Sequence, residues 1–394
     1  MVKNISTDVT IIGAGLTGIT TAILLAQHNV DVAVIEYADI KNLQSKESDG
    51  RTCAVSYGSS KIFDRLGLWE DLKKKAQPIL DIRVSDGESP LFVHYDHKMV
   101  GSLPMGYIIE NSYIRNVLFK KASEYKNLRI IDKTKYQDVE LEKNKAAITL
   151  DSGQKISSML IIAADGKHSN IRKSANIKST SYDYKQTGIV CTVKHEKHHN
   201  AVAVEKFLPT GPFAILPMHG GYHSSLVWTE PTELAPVYMK MTDSEFIEQI
   251  AIRFAGYLGK IELASNRFSY PLSLNLAKSY TSTRLALVGD AAHGIHPIAG
   301  QGFNLGIRDV SVLEDLIGNA KKTGQDIGSD MVLEEYAKTR KFDSISLIAT
   351  TDILTRLFSN NIIPVKHARR IGLATVNKIT PLKKFFMRHA MGDF

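Results

Sequence analysis

Apolar positions along the chain come in two kinds of pattern, and the first kind opens it. Val9-Thr10-Ile11-Ile12, within residues 8–12, is apolar without alternation, as expected of a strand covered on both faces. Glycines punctuate residues 13–18, helical spacing follows over 19–27, and a second two-faced apolar run fills 30–35. Strand, tight turn, helix and strand make a βαβ unit. Helical spacing predicts further helices over 61–75 and 112–125. Over 82–100 and again over 188–228 the period changes to two. Short alternating runs there, such as Val190-Cys191-Thr192-Val193 and residues 201–207, are separated by Pro and Gly turns. They predict an antiparallel sheet, with a helix over 243–258. Residues 283–288 return to a buried-strand pattern, and 333–358 read as one long helix, open to a break. The expected fold is α/β. A Rossmann-like nucleotide-binding domain takes residues 1–80, 105–180 and 268–340. An inserted antiparallel-sheet substrate domain takes 81–104 and 181–267, and a helical C-terminal region takes 341–394.

The length of 394 residues agrees with two or three domains and leaves room to bury a large cofactor. The two cysteines, Cys53 and Cys191, are far apart and in no ligand spacing, which points away from a disulfide framework or a zinc site. No signal-peptide pattern precedes the first strand, and no apolar run is long enough to span a bilayer. A cytoplasmic protein, soluble or peripheral on the inner face of a membrane, is the expectation. The net charge of +8 is concentrated in the tail, where Lys366, Arg369, Arg370, Lys378, Lys383, Lys384 and Arg388 face Asp393 alone. Ile371, Leu373, Leu382, Phe385 and Phe386 are interleaved with them. Two readings stand: a solvated helical face, or contact with an anionic membrane or a protein complex. Pro364 and Pro381 interrupt a continuous helix there. No nucleic-acid recognition motif is present.

Four segments carry candidate chemistry. Gly13-Ala14-Gly15-Leu16-Thr17-Gly18 is GxGxxG between strand and helix. Gly13 allows the turn, Gly15 lets the backbone approach a pyrophosphate, and Gly18 lets helix and strand pack closely. Glu36, ending the second strand, stands where an acid hydrogen-bonds a ribose hydroxyl. This motif does not separate FAD from NAD. The second segment ends a buried run in Asp165-Gly166, with Ser169 and Arg172 following, and Arg172 is the natural charge partner of Asp165. The third ends a buried run in Gly289-Asp290. Fourth, His296-Pro297-Ile298-Ala299-Gly300-Gln301-Gly302-Phe303-Asn304 leads through Gly306 to Asp309 and an amphipathic run. Such glycine density ahead of a helix suits a backbone that comes close to a ligand. His293 and His296 flank the loop and read best as packing residues, with no further ligands spaced for a metal.

GxGxxG, DG and GD in this order resemble the class A flavoprotein monooxygenases, of the p-hydroxybenzoate hydroxylase fold. The HPxxGQGxNxGxxD run resembles the narrower signature of the ubiquinone-biosynthesis hydroxylases at each fixed position, and the likeness covers nearly the whole chain. Val55 departs from the leucine often found there. The resemblance implies bound FAD, with NAD(P)H and O2 as co-substrates, and hydroxylation of a polyprenylated phenol through a flavin C4a-hydroperoxide. It implies cofactor contacts at Gly13, Ala14, Gly15, Thr17, Gly18, Glu36, Asp165, Gly300, Gly302, Phe303 and Asn304. It also places Asp290 on the ribityl chain and Arg51 and Arg115 near the flavin. Pro297, Gly300 and Gln301 would form the flavin-proximal catalytic loop, with no acid or base assigned and no metal. Alternatives are a hydroxylase of a small soluble aromatic, and a non-catalytic flavin-fold subunit of a biosynthetic complex. A plain NAD dehydrogenase would leave the GD and GQG segments without a role.

Overall fold

A computed structural model of the chain describes residues 4–45, 47, 49–87, 89, 92–296, 300–358 and 379–392. One six-stranded sheet runs in the order Thr281–Ser282, Leu285–Leu287, Leu160–Ala163, Val9–Ile12, Val32–Ile35, Leu128–Ile131. Every pairing is parallel except the edge pair Thr281–Ser282 with Leu285–Leu287. The helix Leu16–Gln27 packs between Asn111–Ala122 and Gln301–Lys322. Their apolar sides share one core with these strands and with Ala146, Ile148 and Ile156 of a separate four-stranded sheet.

The first helix starts at Leu16, earlier than its apolar spacing suggests, because Gly13 (φ +100°) completes the turn within a few residues. The helix expected over 61–75 is two helices, Tyr57–Arg65 and Trp69–Lys73, parted where Gly67 takes φ +68°. Asp330–Phe358 is one helix without a break.

The second large sheet runs Ile261–Leu263, Ser179–His195, His223–Pro231, Gly211–Pro217, Val202–Leu208, Asp81–Asp86, Phe92–Asp96. It departs from the antiparallel expectation once: Val202–Leu208 pairs parallel with Asp81–Asp86. Those strands are joined through the other unit, so no hairpin forces them antiparallel. Phe268–Ala277, assigned by sequence to the nucleotide-binding domain, pairs along its length with Ser179–His195 and so belongs to this sheet. One face of the sheet, with Ile189, Val204, Phe213 and Trp228, packs on the helix Asp243–Phe254. On the opposite, inner face, Ile82, Ala203, Leu216 and Met218 meet Ile79, Met105 and Ile108 from the first unit.

Met387 and Met391 of the last helix, Thr380–Met391, close this inner cluster. Pro381 does not interrupt that helix but lies in its first turn, where a missing N–H costs nothing. Lys383 departs from the reading of the tail as a solvated helical face. It is 6% exposed, with its ammonium 5.9 Å from the Tyr95 ring centre, and burial lowers its pKa. Lys366, Arg369, Arg370 and Lys378 lie outside the described residues.

Candidate active site

The glycine-rich turn has room on one side only. A Cβ on Gly13 would come within 2.5 Å of the Ala164 carbonyl, and one on Gly18 would overlap the Gly13 carbonyl. At Gly15 a Cβ would meet nothing within 4 Å. Gly15 is also the N-cap of its helix, with no capping side chain and no acid in the first turn. The free N–H groups there open onto empty space, as anion binding at a helix N-terminus requires. Glu36, buried at the end of its strand, accepts from Ala14 N–H (2.7 Å) and Ala38 N–H (2.9 Å). Its carboxylate therefore also braces the turn. Thr17 packs between Gly289 and Gly306, where added Cβ atoms would lie 3.1 and 3.0 Å from its hydroxyl.

The DG and GD segments meet through Arg172, but not as an ion pair. The guanidinium donates to the carbonyls of Ala291 (2.6 Å) and Lys167 (2.9 Å), so the expected pairing with Asp165 is not made. Asp165 instead accepts from the first-turn N–H groups of Asn170 (3.0 Å) and Ile171 (3.3 Å), and its Oδ1 is buried without a partner among the described residues. Burial raises its pKa against the opposing pull of Ser169 and these N–H groups. Asp290 is exposed to solvent, yet the surrounding protein raises its pKa, opposed by His293, Lys167 and Arg51. An accessible acceptor deep among protein atoms suits a ligand rich in hydroxyl donors.

What holds Asp290 in place was not legible in the motif. Asp309, fully buried, accepts from Gly289 N–H (2.8 Å), from His293 Nε2 (2.5 Å) and from Arg340 Nε (2.8 Å). Burial alone would raise its pKa; His293 and Arg340 outweigh it and hold the carboxyl below the ordinary range. His293 is thus a structural residue of this cluster. His296 is buried too, its ring edge-on to Tyr184 at 5.1 Å.

Arg51 and Arg115 converge on another buried carboxylate, Asp49. Arg51 binds it bidentately (2.8 and 3.0 Å), Arg115 through its Nη2, and Asn111 Nδ2 adds a contact of 3.3 Å. Burial pushes Asp49 up, but Arg51 and Arg115 prevail and lower its pKa. Arg51 remains half exposed and stands 4.7 Å from the Tyr270 ring centre. A cavity of about 470 Å³ opens beside it between the two units, lined by Asp49, Arg51, Ile108, Thr192, Met218 and Phe268, among others.

The flavin-proximal loop is ordered by Asn304. Its Oδ1 accepts from Ser56 N–H (2.9 Å), and its Nδ2 donates to the carbonyls of Ala54 (2.8 Å) and Gly300 (3.2 Å). Asn304, expected on the cofactor, thus fastens the loop to the strand Thr52–Ser56. Phe303, expected there too, stacks on Phe63 at 6.1 Å, because successive helical residues diverge by ~100° and only part of the first turn can face the cleft. Gly300 (φ +61°) brings the backbone onto Ala54, where a Cβ would lie 2.7 Å from the alanine methyl. A Cβ on Gly302 would meet only Ile295, at 3.7 Å. Gly300 is the N-cap of Gln301–Lys322, again with no capping side chain and no acid in the first turn. Gln301 is buried, and Pro297 lies outside the described residues. Two helix N-termini without a capping side chain, with Asp290 exposed on the GD segment, fit FAD, whose pyrophosphate is an anion and whose flavin gains negative charge on reduction.

The comparisons agree. The family model "FAD binding domain" matches residues 6–343. The chain is 44% identical over 385 residues to ubiquinone hydroxylase UbiL of Rhodospirillum rubrum, covering 98% of this chain and 89% of that one. It is 30% identical to 3-demethoxyubiquinol 3-hydroxylase of Escherichia coli, covering 99% of each. In fold it resembles p-nitrophenol 4-monooxygenase PnpA of Pseudomonas putida, with a TM-score of 0.82 at 18% identity, over 99% of this chain and 100% of that one. The glycine cradles, the exposed Asp290 carboxylate and this full-length similarity place the chain in the FAD-dependent aromatic monooxygenases, in the family of the ubiquinone-biosynthesis hydroxylases.

Proposed function

We propose that this enzyme hydroxylates a polyprenylated phenol of ubiquinone biosynthesis, using NAD(P)H and O2. The observation that carries the reading is near-full-length similarity to proteins named for ubiquinone hydroxylation, at 44% and 30% identity. The cavity beside Arg51 supports it, since Ile108, Met218 and Phe268 in its lining suit a lipophilic ligand. Bound FAD supplies the electron and oxygen transfer. The chain's own residues have positional tasks. The N–H groups after Gly15 would hold the pyrophosphate, Asp290 would accept from ribityl hydroxyls, and the N–H groups of the first turn beginning at Gln301 would stabilise negative charge on the flavin. Arg172 keeps the DG segment beside the GD segment, and the apolar side chains of the cavity exclude water from the ring. Deleting the protein from its cells should make a prenylated quinone precursor lacking one hydroxyl accumulate, read by mass spectrometry of the lipid extract. An unchanged quinone profile would favour a small soluble aromatic substrate instead.

We also propose that the last helix rests on an anionic membrane surface, from which a lipophilic phenol enters without crossing water. Among the described residues no helix is long and apolar enough to cross a membrane. Ile379, Phe385 and Phe386 are exposed at 44%, 63% and 38%, with Arg388 exposed and Lys384 half-buried on the same helix. Replacing Lys384 and Arg388 by Gln should weaken binding to anionic vesicles by up to ~2 kcal/mol at low salt, at about 1 kcal/mol per basic residue. Equal sedimentation of both proteins would favour a protein partner.

A further inference from the structure

The inner face of the substrate sheet carries one carboxylate that none of these tasks uses. In the strand Val202–Leu208, Val202 and Val204 pack on the outer helix, while Ala203 joins the inner cluster. The register is regular through this stretch, so Glu205 lies on the inner face with Ala203. Its neighbours across the sheet are Ala214 on one side and Val84 on the other, and the same row continues through Val227 to Val190 and through Val84 to Val93. Glu205 is the only charged residue in that row. It makes no hydrogen bond or ion pair among the described residues, although it is only half-buried. Surrounding protein pushes its carboxyl up to about 7. Asp290 shows the same combination of access and crowding.

The position of the row relates it to the flavin loop. One step along, the inner face touches the first unit where Thr52 donates to Ser225 Oγ (3.2 Å), beside Arg51 and the Ala54 that supports Gly300. Toward the other end of Ser179–His195, Tyr184 meets His296, the residue before the flavin-proximal loop. The row of Glu205 crosses that strand at Val190, between these two contacts, and Glu205 itself lies three strands along the sheet, on Val202–Leu208. Asp86 and Tyr95 are the titratable side chains on the same face of the adjoining strands, and Lys383 of the last helix stands against Tyr95. The helix Asp330–Phe358 approaches the strand Gly211–Pro217 and carries Asp352 and Arg356, whose side chains lie outside the described residues.

We infer that Glu205 accepts the hydrogen bond of the substrate's phenolic hydroxyl and takes its proton as the ring is hydroxylated. The inference rests on the phenol substrate proposed above. Breaking the phenol O–H bond leaves its electron pair on the ring system, which raises the electron density at the carbon under attack. That carbon's electron pair forms the new C–O bond. One atom of O2 enters the ring, the other leaves as water, and NAD(P)H supplies the two electrons. When the attacked carbon loses its own proton to solvent, Glu205 returns the first proton to the phenol oxygen, so the carboxylate is regenerated. An apolar row whose one carboxylate has no partner among the described residues orients a phenol by that contact.

The test uses the FAD-loaded enzyme, a short-chain 2-prenylphenol and its O-methyl ether. Wild type should bind the phenol roughly 10- to 100-fold more tightly than the ether above pH 7, the yield of one charge-assisted hydrogen bond. Glu205→Leu should bind both alike. Glu205→Gln, isosteric and still an acceptor, should keep much of the preference. Its kcat should nevertheless fall by about 10²–10⁴, the usual contribution of a positioned base. The rise of wild-type kcat/KM through pH 7 should also vanish in Glu205→Gln. Variants that match wild type in ether discrimination and pH profile would overturn the role of Glu205 while leaving the phenol substrate in place. A wild type that neither binds nor hydroxylates the prenylphenol would overturn the substrate reading and Glu205's role with it.

Discussion

Replacing Asp309 by alanine is expected to destabilise the protein by about 3–5 kcal/mol, the cost of removing one partner from a buried ion pair. Asp309 is fully buried and serves Gly289 N–H, His293 and Arg340 at once. Arg340 retains Asp343 at 2.6 Å, so the loss falls mainly on His293 and on the Gly289 turn. That turn takes φ +59° and presents Asp290, so FAD should dissociate before the chain unfolds. Urea denaturation followed by far-UV dichroism gives the stability change, and flavin fluorescence in the same titration gives cofactor release. Because the carboxyl's pKa is lowered in the folded state, its contribution is complete above the ordinary carboxylate range. It fades as pH falls through the lowered value. The difference between wild type and Asp309→Ala should therefore shrink in acid. A loss below 1 kcal/mol at neutral pH would show that the cluster does not hold the site.

Gly15→Val should give a folded, colourless protein. Gly15 has φ −63° and ψ 177°, a conformation that valine adopts readily, and a Cβ there meets nothing within 4 Å. The chain itself tolerates the side chain. It fills the space in front of the helix N–H groups, the proposed seat of the pyrophosphate, so FAD binding should be lost. Gly18→Val provides the contrast: its Cβ would overlap the Gly13 carbonyl, so that variant should fail to fold. Absorbance in the flavin bands, with dichroism as the fold control, separates the two failures. A yellow, fully loaded Gly15→Val protein would remove the pyrophosphate from this turn.

The sequence by itself determined the parallel core, the place of the glycine turns and the order of the flavin segments. These depend on local causes. Val9–Ile12 and Leu160–Ala163 are apolar at every position because both their faces are covered, and Gly13 stands where φ is positive. The cysteines too could be read locally: Cys53 and Cys191 are buried free thiols. Only the tertiary structure decided which side chains do the holding. Asp49 stands 66 residues from Arg115, and Asp309 stands 31 from Arg340, so neither partnership has a spacing to betray it. Arg172 looked like a partner for Asp165, yet two backbone carbonyls claimed it. Phe303 and Asn304 sit inside the flavin signature but serve the core and a strand, because a helix turns its successive residues to different neighbours. Lys383 counts as one more tail charge until packing against Tyr95 buries it. Glu205 is an ordinary polar position in an alternating strand until the sheet's other face is taken by the helix Asp243–Phe254. Periodicity states that a strand has two faces; which face becomes core and which meets the ligand is fixed by what the rest of the chain packs against it.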